Sequence, residues 1–124
     1  MTTKEKLIEI VKASSAVWKQ AFNDGDYKKA AGQYESDALM VAKPFGTYRG
    51  TQAIEEFWKK MVEDGFAEVD YVEPVTFKVV GDDSVELAAN WTMNKAKGVI
   101  TKELWVVQED GTAKLREDHF EALP

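Results

Sequence analysis

The chain has no cysteine among its 124 residues, which excludes disulfides, thiolate metal sites and a cysteine nucleophile. It has one histidine, His119. A multi-histidine metal centre is therefore excluded, and a serine triad would have to use that single ring. Positive charge is scarce: 16 Lys and Arg against 22 Asp and Glu leave a formal net charge of −6. Phosphate backbones and anionic membrane surfaces attract clustered cations, so no nucleic acid and no membrane are expected as partners. Long apolar runs are also missing, none nearing the about 20 residues of a membrane-spanning helix. The first one, in MTTKEKLIEIV, is broken by Glu9 and lacks the core of a signal peptide. By elimination, a soluble, cytoplasmic protein is expected. No glycine loop suited to phosphate appears, and Asp82–Asp83 and Glu109–Asp110 lack the ligand spacing of a calcium loop, so neither cofactor nor metal is expected.

What is present suits one folded domain over 1–124. Hydrophobic residues make up 44% and aromatic residues 11%, enough to build a core. Thr2 and Glu5 form a T-x-x-E capping box at a helix start. Leu7, Val11, Trp18 and Phe22 follow at helical spacing, with the weak position Ser14 or Ser15 between them. Asn23-Asp24-Gly25 stops that helix. Asp26 caps a second, short helix ending near Tyr34. Asp37 to Lys43 reads as a short strand, and Pro44-Phe45-Gly46 starts a loop that closes at Gly50. Thr51 caps a third helix with an apolar stripe of Ile54, Phe57, Trp58, Met61 and Val62. The period then changes to two: Val69, Tyr71, Val75, Phe77 and Val79 alternate along one strand. Val85–Met93, Val99–Gln108 and Ala113–Phe120 are the strands that follow, the last two joined by the hairpin signal Asp110-Gly111. Helices first and sequential strands after predict α+β: a cone-shaped, curved antiparallel sheet closed by three N-terminal helices around a pocket.

The run FNDGDYKKAAGQYESDALMVAKPFGTYRGTQAIEEFW carries a pattern with a family resemblance. Its elements are Gly25-Asp26, Tyr34-Glu35-Ser36-Asp37-Ala38, Pro44-Phe45-Gly46, and Gly50 with Ile54. In these it resembles the SnoaL-like and ketosteroid isomerase-like families of the nuclear transport factor 2-like superfamily. The C-terminal strands fit too, so the resemblance covers nearly the whole chain. It implies a ligand pocket, cofactor-independent chemistry of the isomerase, cyclase or dehydratase type, and a homodimer. In the isomerase pattern the catalytic base falls at Lys43 or Ala42, the tyrosine at Trp18 and the protonated carboxyl at Glu103. One of three roles is thus filled by a like group.

The Asp110-Gly111 turn also sets a register. A two-residue turn places Glu109 opposite Thr112, Trp105 opposite Arg116 and Glu103 opposite Asp118. Two carboxyls so placed in a partly dry pocket resist ionising together. One could donate a hydrogen bond to a developing oxyanion and the other act as general base. Alternatively Arg116, diagonal to Glu103, could neutralise both in a purely structural ion-pair network. Alternation does not say which hairpin face is inward; the resemblance selects the face of Glu103. That choice turns Glu86, Ala88, Asn90 and Thr92 inward and Leu87, Ala89, Trp91 and Met93 outward, where a partner subunit would cover them. His119 then faces away from the pocket.

The expected site has Glu103, Asp118 and Arg116 as its catalytic group. Trp18, Tyr34, Phe45, Trp58, Met61, Asn90, Trp105 and Phe120 would contact a small apolar or aromatic ligand. Cofactor-free acid–base chemistry on a carbonyl or enol is the first functional expectation. A non-catalytic binding module or a homodimeric association module is the alternative.

Overall fold

A hydroxyl starts the first helix. The computed structural model describes residues 3–124, and in it Thr3 caps α1 (Lys4–Asn23), its Oγ1 accepting the Lys6 N–H at 3.1 Å. Thr2, the first member of the expected capping box, lies outside the described residues. The inward stripe of α1 contains Leu7, Val11, Trp18 and Phe22 together with Ser14 and Ser15, all buried. The two serines are not flaws in the stripe. Ser14 Oγ accepts the Ala113 N–H at 2.9 Å, and Ser15 Oγ donates to Tyr71 Oη at 3.3 Å, so each ties the helix to the sheet. Beyond the last turn, the Asn23 amide bonds both backbone groups of Val69, at 2.7 and 3.0 Å.

Asp26 caps α2 (Tyr27–Ala31) through the Lys29 N–H at 3.1 Å. This helix stops before Tyr34, which instead opens β1 (Tyr34–Lys43). The segment expected as a loop after Pro44 contains a further strand, β2 (Gly46–Arg49), that folds back on β1 with Tyr48 opposite Met40. Four residues are too few for alternation to show in sequence. Gly50, not Thr51, is the N-cap of α3 (Thr51–Glu63), whose buried face carries Ile54 and Trp58.

Four strands complete the chain: β3 (Asp70–Val79), β4 (Ser84–Thr92), β5 (Lys97–Val107) and β6 (Ala113–Ala122). They join β1 and β2 in one unclosed sheet of order β2-β1-β6-β5-β4-β3. Among the described residues, only β1 and β6 run parallel. Helix α1 packs across β3 to β6, and α3 packs on β1 and β2. The architecture is thus α+β. Among the described residues, no helix is long and apolar enough to cross a membrane.

Bulges decide which side chains meet the helices. From Trp91 opposite Gly98, the β4–β5 ladder runs regularly to Ala89 opposite Ile100. Continued without interruption, it would set Glu103 opposite Glu86. The ladder instead shifts by one residue, and Glu103 pairs with Leu87. An extra residue in one strand reverses the face of everything beyond it. Val85, Leu87, Ala89 and Trp91 therefore all point into the core and are buried, while Asn90 is exposed. This corrects the expected orientation of β4: the row of Leu87 and Trp91, with Met93 packed against it, belongs to the core and offers no dimer face.

Trp91 lies flat over Gly98 on the neighbouring strand. A Cβ at Gly98 would come within 2.5 and 2.6 Å of the indole ring and would overlap the Glu121 carbonyl. Overpacking of this kind costs about 1–3 kcal/mol. Gly98→Ala is expected to lose that much unfolding free energy, read as a lower urea midpoint with an unchanged slope. An unaltered midpoint would show that Trp91 is not held where the structure has it.

Candidate functional site

The hairpin that brings two carboxyls together is less regular than its sequence suggests. Gln108 N–H bonds Thr112 carbonyl at 2.7 Å and Gly111 N–H bonds Gln108 carbonyl at 3.0 Å, so the turn is longer than two residues. Trp105 consequently faces Leu115 rather than Arg116. A bulge beyond this pair makes up the difference, and Glu103 faces Asp118. Arg116 occupies the bulge. It is exposed, and its guanidinium grips Glu35 with Nε to Oε1 at 2.7 Å and Nη2 to Oε2 at 3.2 Å. Arg116 is therefore removed from the expected catalytic group, and the network in which it would neutralise both carboxyls is removed with it.

Glu103 and Asp118 are only 5% and 3% exposed. Glu103 Oε1 accepts the Trp105 indole N–H at 2.9 Å. Asp118 Oδ2 accepts the Tyr34 hydroxyl at 2.6 Å, and Tyr34 Oη in turn accepts the Trp58 indole N–H at 3.3 Å. Asp118 Oδ1 is buried with no partner among the described residues. Burial penalises the charged form of both groups. Desolvation, and then the neighbouring Asp118, push Glu103 well above the ordinary carboxyl range, against the opposing pull of the Trp105 bond. Desolvation raises Asp118 to about 6, with the Tyr34 hydrogen bond and His119 working the other way. Both shifts run in the same direction, so burial and mutual repulsion resist ionisation of the two acids together. Tyr34, itself buried beside these groups, is pushed up and stays a donor.

Both carboxyl side chains line an interior cavity of about 30 Å³. A water needs roughly 10–15 Å³ on this measure, so the space admits a water or two but no ring. Trp18, Trp58 and Phe120 share the lining. Val69, Tyr71, Trp91, Met93 and Ile100 share it too, and sequence reasoning missed them. The alternation of Leu87, Ala89 and Trp91 was the available signal for Trp91. The indole N–H groups of Trp18 and Trp91 are buried and unpaired, like Asp118 Oδ1.

The remaining expected contacts lie elsewhere. Tyr34 and Trp105 do not line the cavity but hold its carboxyls from behind. Phe45, 52% exposed, and Met61 line a separate groove with Tyr48 and Phe57. Asn90 lies on the outer face of β4. Lys43 is exposed and Ala42 buried, so neither supplies a base at the position the isomerase pattern suggests. His119 is on the outer face, with Nε2 2.9 Å from Glu117 Oε1, which also pairs with Lys102 at 3.2 Å.

No protein-family model and no curated protein matches the chain. Solved structures do. Aln2 from a Streptomyces species superposes with a TM-score of 0.84 at 15% identity, covering 98% of this chain and 94% of that one. A ketosteroid isomerase-like protein from Erwinia carotovora atroseptica gives 0.80 at 13%, covering 98% and 99%. A protein named as a scytalone dehydratase from Novosphingobium aromaticivorans gives 0.78 at 10%, covering 94% and 84%. The likeness establishes the fold, that of the SnoaL-like and ketosteroid isomerase-like proteins, and at these identities nothing finer.

A carboxyl whose folded pKa is raised binds more protons folded than unfolded, so stability falls as pH rises between the two values. For Asp118 that window runs from its ordinary value, near 3.8, up to about 6. The shift corresponds to roughly 3 kcal/mol. Measured against wild type by denaturant unfolding at each pH, Asp118→Asn is expected to gain relative stability across this window and hold it above pH 6. Parallel curves would show that Asp118 is not desolvated.

Proposed function

We propose that the protein is a cofactor-independent acid–base catalyst acting on the carbonyl or enol end of a small apolar molecule. One observation carries the reading: two buried carboxyls stand opposite each other, and among the described residues no cation pairs with either and one Asp118 oxygen beside a cavity has no partner. Asp118 Oδ1 takes a proton from the carbon next to the carbonyl. Neutral Glu103 donates a hydrogen bond to the carbonyl oxygen as negative charge develops there. Trp18 and Trp91 offer two further unused donors. Returning the proton to another carbon gives isomerisation; loss of a β-hydroxyl as water gives dehydration. The solved relatives named for isomerase-like and dehydratase proteins are consistent with this class.

The tightness of the cavity favours a second reading, in which the site binds but does not turn over. Exchange chemistry separates the two. The protein is expected to accelerate α-proton exchange of small cyclic enones in D2O, followed by proton NMR. Asp118→Asn and Glu103→Gln should each slow it by about 10²–10³-fold. Glu103→Gln, which keeps an acceptor for Trp105 and removes a buried ionisable group, should be at least as stable as wild type at pH 8. Exchange no faster than in buffer, with saturable quenching of tryptophan emission by phenol, would establish the binding-only reading instead.

A further inference from the structure

The cavity beside Asp118 has a neighbour of ligand size. Between α1 and β3 runs a groove of about 360 Å³, lined by Lys12, Ser15 and Lys19 on the helix and by Tyr71, Val75 and Phe77 on the strand. Tyr71 lines both this groove and the interior cavity. The ring packs at the edge of the core, with Lys19 Nζ 5.8 Å from its centre. Its hydroxyl meets Ser15 Oγ at 3.3 Å, near the upper limit for an O–H···O bond. Its strand is at the sheet edge, and the β3–β4 ladder is interrupted between Val72 and Thr76, immediately after it. Pro74, which has no N–H to donate, falls inside that gap.

The groove also has a distinctive charge arrangement. Lys19 is committed to Asp70 at 3.0 Å, and Glu73 Oε2 accepts the Val75 N–H at 3.1 Å. Lys12 is exposed and has no carboxylate partner among the described residues; its ammonium lies 5.3 Å from the centre of the Phe77 ring. A flat apolar body laid on Tyr71, Val75 and Phe77 would take the place of the Lys12 ammonium on the Phe77 ring and bring an anionic substituent to it without breaking a salt bridge.

We propose that the α1–β3 groove is an outer binding site for a planar apolar molecule bearing an anionic group, and that the Tyr71 ring is the shutter between it and the cavity at Asp118. The proposal rests on the acid–base reading only in naming what lies behind the shutter. A molecule whose body lies in the groove needs to pass just its reacting end inward once the ring swings, which reconciles a cavity of about 30 Å³ with a substrate of ordinary size.

The probe is 8-anilinonaphthalene-1-sulfonate, compared with N-phenyl-1-naphthylamine, which lacks the sulfonate. Saturable binding of the sulfonate to the full chain is expected, weakened about three-fold by Lys12→Met, as for an exposed ion pair. The uncharged probe should be indifferent to Lys12→Met. All four tryptophans are buried, so acrylamide should quench the wild type poorly. Tyr71→Ala should raise that quenching and Tyr71→Phe should not; if Tyr71→Ala loses its far-UV dichroism, Tyr71→Val replaces it. Sulfonate affinity unchanged in Lys12→Met, or quenching unchanged in the small Tyr71 variants, would overturn the proposal. Glu103→Gln should leave sulfonate binding unaltered, so failure of the groove and failure of the acid–base pair are read separately.

Discussion

The burial of Glu103 against Asp118 without a counter-ion constrains everything around it. Two ionised carboxylates cannot be kept together in a dry interior, and even one is costly unless it is hydrogen-bonded. The surroundings meet these demands unequally. Asp118 receives the 2.6 Å bond from Tyr34, whose oxygen is itself fixed by Trp58. Glu103 receives one indole N–H, from Trp105. Three large aromatic side chains from α3, β1 and β5 thus act as polar supports, which explains why the core is built of rings that carry a donor rather than of aliphatic residues alone. The arrangement also separates the two acids. Asp118 accepts the shorter bond, from a hydroxyl, and Glu103 the longer one, from an indole N–H.

The same rings determine how much space is left. Trp58 contacts Trp18 and Phe22 edge-on at 5.2 and 5.3 Å and stacks near Phe120 at 5.8 Å. Trp91 closes on Phe120 from the sheet, which its position over Gly98 permits. Close packing of so many rings leaves an interior opening that suits a functional group rather than a molecule. A molecule larger than that opening could reach Asp118 only if a wall moved, and walls move most easily where backbone pairing is interrupted. Strand β3 meets that condition at the sheet edge, where its pairing with β4 is interrupted and no second strand holds it, whereas the interrupted ladders of β5 are held from both sides.

Much of this was legible in the sequence. The three helices follow from caps and helical stripes, and the strands from a change to alternating period. Glu103 and Asp118 are correctly opposed, but for a reason that sequence could not show. The expected two-residue turn is absent, and a bulge at Arg116 cancels the displacement. On β4 no second error compensates. The bulge in β5 reverses its outer half, so Asn90 and Trp91 exchange faces relative to expectation. A bulge has no residue signature comparable to a cap or a glycine turn, and a single one inverts every face beyond it. Apolar alternation was the safer guide: Val85, Leu87, Ala89 and Trp91 are the row that water would reject.

Arg116 shows how the pair comes to stand without a guanidinium beside it. The chain places an arginine two residues from Asp118 and across the hairpin from Glu103, where a regular ladder would let it neutralise both. The bulge turns it outward, and a carboxylate from β1, Glu35, holds it there with two hydrogen bonds. Glu35 is thereby kept below the ordinary carboxylate range, while Asp118 is kept above it. Burying the guanidinium beside the acids would carry its own desolvation cost, which a buried ion pair often fails to repay. With the cation on the opposite face, burial is the largest influence on both acids and pushes each toward its protonated form.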